Sequence, residues 1–127
     1  MKVRADFVTN SSTTSFIIIS DTELRRPDFL ALVGVSPESP LAPVFDALLD
    51  RLLASRDPRD EHRETEYFAR TFSEEVASRV AEARQTGREI YAGELSSDNE
   101  PIETLFCCDS FEVESDTIYF NSLRCMW

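Results

Sequence analysis

An uninterrupted apolar run, Phe16–Ile19, is the feature that most constrains the fold of this chain. Three consecutive isoleucines follow the phenylalanine, and β-branched side chains favour extended backbone. The segment Ser15–Ser20 therefore predicts a fully buried strand. Residues 2–8 alternate loosely between apolar and polar side chains, which predicts a second, half-buried strand before it.

The middle of the chain has the residue spacing of helices. Apolar side chains at intervals of three and four predict one amphipathic helix over about residues 40–55 and another over about residues 64–86. The charged stretch 56–64 between them contains the single histidine, His62, and predicts a solvated connector.

A shorter helical region is expected between the buried strand and residue 34. Ser20 and Glu23 have the spacing of a capping box, so a helix is expected to begin there. Pro27 either starts a second helical stretch or kinks the first, and Gly34 is expected to end it.

The C-terminal part returns to strand-like patterns. Residues 89–95 predict a strand, residues 101–107 a short helix opened by Pro101, and residues 111–115 and 117–121 two short strands. Helices clustered between groups of strands predict an α+β fold, with a small mixed or antiparallel sheet and about three central helices packed on it. We expect one domain over 1–127, with a hydroxyl-rich leader and strands (1–20), a helical part (21–88) and an acidic β-rich part (89–127).

The net charge of the chain favours some classes of binding partner over others. Its 127 residues include 13 basic and 24 acidic side chains, a net charge of −11 with the histidine neutral. Residues 57–127 alone hold seven basic and seventeen acidic side chains, a net charge of −10. Such a surface repels phosphate groups, so we expect neither nucleic acid nor an anionic membrane among the partners. A basic protein is the partner that this charge favours.

Three cysteines, Cys107, Cys108 and Cys125, form an odd set that does not predict a disulfide framework. Free thiols suit a reducing compartment. The N-terminus has neither the apolar stretch nor the cleavage site of a signal peptide, and no run of about twenty apolar residues could span a membrane. We therefore expect a cytoplasmic protein.

The chain offers few residues for metal or cofactor chemistry. Neighbouring residues on a helix point about 100° apart, so Cys107 and Cys108 do not fit one zinc site with Cys125 and His62. No nucleophile motif surrounds the cysteines, and no glycine-rich phosphate-binding loop occurs. We predict no metal, no cofactor and no catalytic residue. Cys107 or Cys108 is expected to pack beside Phe106 as a small apolar side chain.

The segment Asp6–Ile17 resembles the N-terminal signature FV(T/S)NSSSSSF of a family of small, uncharacterised bacterial and phage proteins. Thr13 and Thr14 replace two of the usual serines and keep the hydroxyl groups. A weaker similarity to an E-x-x-L-C … ESDD-x-I pattern involves Glu103 to Cys107 and Glu114 to Ile118. The resemblance covers about a dozen residues at the N-terminus, and it implies a bacterial or phage setting but no activity.

Two segments are candidate binding determinants. The hydroxyl-rich segment is a candidate modification acceptor, docking leader or anion-binding turn, and the alternative is a surface turn whose side chains bond the local backbone. The acidic residues near the C-terminus are candidates for contact with a basic partner, and the alternative is a solvated surface. The candidate residues are Thr9, Asn10, Ser11, Ser12, Thr13, Thr14, Ser15, Glu112, Glu114 and Asp116.

The preferred hypothesis is a small, acidic, non-catalytic protein that binds another protein, in the manner of an inhibitor, an immunity-type protein or a phage accessory factor. A second hypothesis is a self-assembling structural protein that associates through the apolar strand Phe16–Ser20 or the aromatic C-terminus, as a homo-oligomer. A third is an enzyme that uses a cysteine or carboxylates.

Overall fold

The computed structural model describes residues 13–96 and 111–125. These ranges hold four strands and five helices, numbered here in chain order. They are β1 (Thr13–Ser20), α1 (Arg26–Val33), α2 (Ala42–Ala54), α3 (Pro58–Glu61), α4 (Thr65–Thr71), α5 (Glu74–Thr86), β2 (Glu89–Ser96), β3 (Phe111–Glu114) and β4 (Ile118–Cys125). The fold is α+β, as predicted, with five helices in the described ranges rather than about three.

The four strands form one antiparallel sheet in the order β2-β1-β4-β3. The interior strand β1 pairs along its whole length with β2 on one side and with β4 on the other, so that Ile17 lies opposite both Ala92 and Asn121. Of the two predicted kinds of sheet, mixed and antiparallel, the antiparallel one is therefore correct.

Helices cover both faces of this sheet. On one face Phe16 and Ile18 pack with Phe29 of α1 and with leucines of α2, among them Leu48. On the other face Ile17 and Ile19 pack with residues of α4 and α5, namely Phe68, Val76, Ala77, Val80 and Ala83. None of the four side chains in Phe16–Ile19 is more than 1% exposed. The prediction of a fully buried strand is confirmed, and the absence of alternation follows from burial on both faces.

The first two helices confirm part of the sequence prediction. Helix α2 lies within the predicted range 40–55. Helix α1 has Pro27 in its first turn and ends at Gly34, whose φ of 77° is left-handed. The predicted helix start at Ser20 is wrong, because Ser20 is the last residue of β1 and is 2% exposed.

The single helix predicted over residues 64–86 is also wrong, because the chain forms α4 and α5 with a break at Phe72 and Ser73. Ser73 has extended backbone and its Oγ accepts a hydrogen bond of 3.2 Å from the backbone N–H of Val76, which makes it the N-cap of α5. Glu74 and Glu75 in the first turn favour the same helix start. Both helices pack on one face of the sheet, so the apolar spacing continues across the break.

The charged stretch 56–64 contains the short helix α3 and crosses the outer side of β2. Arg56 forms a β-bridge with Gly93, and the N–H of Asp57 donates to the carbonyl oxygen of Ala92 at 2.8 Å. A Cβ atom on Gly93 would lie 2.1 Å from the carbonyl oxygen of Ser55. Glycine at position 93 is therefore what allows this segment to cover the strand.

The remaining predictions have mixed outcomes. The strands predicted at 89–95, 111–115 and 117–121 are confirmed as β2, β3 and β4, and β4 continues to Cys125. The strand predicted at 2–8 and the helix predicted at 101–107 lie outside the described residues. Within the described ranges, no helix is long and apolar enough to cross a membrane.

We expect Gly93→Ala to lower the free energy of unfolding by about 1–3 kcal/mol, because the new methyl group forces the backbone at Ser55 away from β2. Chemical denaturation measures this change. Glu94→Ala, at the next and exposed position of the same strand, is the matched control and should change stability by less than about 0.5 kcal/mol. Equal stability of the two variants would contradict the close packing at Gly93.

Candidate binding site at one end of the sheet

The two predicted binding segments do not come together in the structure. Thr13 is the first residue of β1, whereas Ser20, at the other end of that strand, pairs with Ile118 next to the turn that contains Asp116. The seven-residue offset between Thr13 and Ser20 corresponds to about 23 Å of strand. A single small site cannot include both segments.

The hydroxyl-rich segment is part of the sheet where the structure describes it. Thr14 and Ser15 are 0% and 4% exposed, so they are not part of a surface turn and a partner cannot reach them while β1 is formed. The surface-turn interpretation is therefore wrong for these two residues. Thr9, Asn10, Ser11 and Ser12 lie outside the described residues, and a role for them stays a prediction.

Two of the three predicted acidic residues make contacts within the protein. Glu112 accepts a hydrogen bond from the hydroxyl group of Tyr119. Glu114 accepts two hydrogen bonds from the guanidinium of Arg79, at 2.8 and 3.1 Å, and this hydrogen-bonded pair raises the pKa of Arg79. Part of the negative charge of β3 is therefore neutralised by α5.

The guanidinium of Arg79 joins α5 to the hairpin of β3 and β4. It lies 4.2 Å from the centre of the Tyr119 ring and donates to Glu75, four residues earlier on the same helix face, at 3.1 Å. Burial and the hydrogen bond to Glu112 raise the pKa of Tyr119 to about 12. These contacts position the turn that follows β3.

Asp116, in that turn, lines an open cavity of about 400 Å³ with two further carboxylates. Asp21 follows the last residue of β1, and Glu82 belongs to α5. Thr86, Gly87 and Arg88 complete the lining. We call the site formed by Asp21, Glu82 and Asp116 the acidic cavity.

One of these carboxylates has a cationic partner. Nε of Arg88 lies 2.7 Å from Oδ1 of Asp21, and Nη2 of the same arginine donates to the carbonyl oxygen of Thr117 at 3.2 Å. Glu82 and Asp116 form no ion pair with the residues that the structure describes. The acidic cavity therefore has an excess of negative charge that a basic side chain can neutralise.

Sequence reasoning selected Asp116 but missed Asp21 and Glu82. These three residues lie far apart in the chain, and only the pairing of β1 with β4 and the packing of α5 on the sheet bring them to one place. A partial signal was present in the residue types, because a glycine such as Gly87 commonly ends a helix, as it does for α5.

The candidate thiol and histidine residues are not brought together in the described ranges. Cys107 and Cys108 lie outside them, and Cys125 is the last residue of β4. His62 is exposed, and its Nδ1 lies 2.7 Å from the carbonyl oxygen of Pro58. Among the described residues no group of three or more histidine, cysteine, aspartate or glutamate side chains could hold a metal ion.

We expect Tyr119 to titrate near pH 12 in the folded protein, above the ordinary value of 10.0. The unfolded chain releases this proton at the lower pH, so the contribution of Tyr119 to stability is complete below about pH 10 and is lost as the pH rises towards 12. Ultraviolet titration of tyrosinate should show the step near pH 12 disappear in Tyr119→Phe, together with part of the alkaline loss of stability. A step that persists in this variant would contradict the assignment.

Comparison with known proteins finds no matching family model, no matching curated protein and no matching solved structure. The resemblance of the N-terminal segment therefore stays a prediction. What the chain binds has to be inferred from its own residues.

Proposed function

We propose that this chain is a non-catalytic binding protein that recognises a basic protein partner through the acidic cavity. The observation that carries the proposal is the convergence of Asp21, Glu82 and Asp116, from three separate elements, on one open cavity. A lysine or arginine side chain of the partner enters the cavity and pairs with Glu82 and Asp116. Charge-assisted hydrogen bonds of this kind are among the strongest polar contacts in proteins.

The chemistry of the cavity favours a basic side chain over a bound metal ion. The three carboxylates do not approach closely enough to form a metal-binding group among the described residues. A cavity of about 400 Å³ has room for the long side chain of an arginine or lysine, whose charge lies several bonds from the backbone. Within the protein itself, the guanidinium of Arg88 already pairs with the carboxylate of Asp21.

The charge of the rest of the protein supports the same partner. Residues 57–127 carry a net charge of −10, and the exposed residues on and around α5 include Glu74, Glu75, Glu82 and Glu89. Complementary charge accelerates association and disfavours acidic competitors. An inhibitor or immunity-type protein uses this kind of complementarity.

The same proposal includes a location: the protein is encoded by a bacterium or its phage and functions in the bacterial cytoplasm. An odd number of cysteines without a disulfide framework supports the reducing compartment. The N-terminal signature supports the bacterial or phage setting.

Self-assembly through the apolar strand is not supported. Phe16–Ile19 and the aromatic residues of β4, Tyr119 and Phe120, are at most 2% exposed, so they are part of the core and offer no surface to a second copy. Met126 and Trp127 lie outside the described residues.

The test uses a double variant, Glu82→Gln with Asp116→Asn, that removes two negative charges from the acidic cavity. The partner is first isolated from the native host with the full chain as bait, and its affinity for each purified variant is then measured. We expect the double variant to bind at least about tenfold more weakly, because each lost charge-assisted hydrogen bond is worth about 1.5–3 kcal/mol. The matched control is Glu38→Gln with Asp50→Asn, at exposed positions before and on α2, which lies on the other face of the sheet.

The control should bind nearly as tightly as the natural chain, and binding of the natural chain should weaken as salt is raised. Equal loss in both double variants would assign the effect to net charge and contradict a role of the cavity. Recovery of the bait alone, at the mass of several copies of the chain, would contradict the proposal and favour self-assembly.

A further inference from the structure

A second cavity adjoins the acidic cavity and is rich in arginine. It measures about 270 Å³ and is lined by three arginines and the single histidine, together with two glutamates and an isoleucine. The arginines are Arg56, Arg84 and Arg88, the histidine is His62, and the others are Glu61, Glu89 and Ile90. We call it the arginine cavity. Arg88 lines both cavities and separates them.

Arg56 is held in place by a buried carboxylate. Its Nε and Nη2 donate to Glu61 at 2.6 and 2.9 Å, and Glu61 also accepts the backbone N–H of Ala92 at 3.2 Å. The guanidinium lies 4.2 Å from the centre of the Tyr91 ring. The side chain of Glu61 is 8% exposed, so its charge is matched within the protein and is not available to a cationic ligand.

Arg84 has a different set of partners. Its Nη2 donates to the carbonyl oxygens of Glu61, the last residue of α3, and of Arg63. Arg84 forms no ion pair with any carboxylate in residues 13–96 and 111–125. A guanidinium has five N–H donors, and these contacts use only the donors of one nitrogen. The arginine is therefore positioned by neutral acceptors while its charge stays uncompensated, although the chain has 24 acidic residues.

His62 also lines the cavity, and its ring contacts the backbone. Its Nδ1 lies 2.7 Å from the carbonyl oxygen of Pro58, and in the neutral ring that donates there, Nε2 is an acceptor. The assignment of the two nitrogens follows from this contact, because a carbonyl oxygen can only accept.

We propose that the arginine cavity binds an oxyanion, supplied either by a phosphate group or by a carboxylate. Arginine is the side chain best suited to both, because its planar group of donors matches their oxygen atoms. The net charge of −11 acts against an anion at long range, but salt screens it beyond about 8 Å at physiological ionic strength. The contacts within the cavity then decide the binding. The inference is independent of the acidic cavity, because Arg84 does not line it.

The first test is a titration of the isotope-labelled natural chain with inorganic phosphate at constant ionic strength, followed by nuclear magnetic resonance. We expect saturable shifts at Arg84, Arg88, Glu89 and Ile90, with a dissociation constant in the millimolar range. Absence of saturable shifts, or shifts spread over exposed arginines elsewhere, would overturn the proposal.

The second test compares Arg84→Gln with the control Arg70→Gln. Arg70 is exposed on α4 and lies outside the arginine cavity. Both variants lose one positive charge, but only Arg84→Gln loses it inside the cavity. Arg84→Gln should weaken phosphate binding about tenfold or more, and Arg70→Gln should leave it nearly unchanged. Equal affinity of the two variants for phosphate would show that Arg84 does not bind the anion and has only a structural role through its backbone contacts. Thermal unfolding of each variant shows whether it is folded, and the titration of the natural chain decides the matter if Arg84→Gln is not.

Acetate, titrated in the same way, identifies the source of the oxyanion. Shifts with phosphate but not with acetate assign the cavity to a phosphate group. Tighter binding of acetate than of phosphate assigns it to a carboxylate, as an acidic side chain or chain terminus of a peptide would provide.

Discussion

The burial of β1 on both faces is the constraint on which the rest of the structure depends. A strand with Phe16–Ile19 at its centre can be removed from water only if helices cover the sheet on both sides. Helices α1 and α2 cover one face, and α4 and α5 cover the other. Burial of each of these four side chains is worth about 1.5–3 kcal/mol. The pairing of β1 with β2 and β4 also determines which residues meet at the end of the sheet near Ser20.

Both cavities lie near that end and depend on the same arrangement. Asp21 directly follows β1, Arg88 directly precedes β2, and Asp116 lies just before β4. Arg88 joins these elements through Asp21 and the carbonyl oxygen of Thr117. One arginine therefore separates a cavity with excess negative charge from a cavity lined by three arginines. A protein of net charge −11 presents carboxylates and guanidinium groups within a short distance of each other in this way.

The buried strand, the helix at 40–55 and the strands at 89–95, 111–115 and 117–121 could be predicted from the sequence, because each depends on a local pattern of apolar residues. The sequence left a mixed or an antiparallel sheet open, because the direction of pairing depends on contacts between distant segments. The break at Ser73 could not, since α4 and α5 face the same side of the sheet and the apolar spacing continues through the break. Glu61 belongs to a charged stretch that predicted a solvated connector, and only its pairing with Arg56 and Ala92 explains why it is buried. Asp116 was selected as a candidate binding residue, but its neighbours Asp21 and Glu82 come from distant parts of the chain. The hydroxyl group of Thr14 indicated a surface turn, whereas β1 begins at Thr13 and buries Thr14. Ser15 belonged both to the hydroxyl-rich segment and to the predicted buried strand, and it is buried.

Native-state hydrogen exchange of the backbone amides tests the central role of β1 most directly. If both helical layers depend on this strand, the amides of Ile17, Ile18 and Ile19 exchange only when the whole protein unfolds. Their exchange free energies should then equal the free energy of unfolding measured by denaturant, whereas the short edge strand β3 should open at a lower free energy. Exchange of the β1 amides at a free energy well below that of global unfolding would show that the strand opens while the helices remain folded. That result would contradict the account.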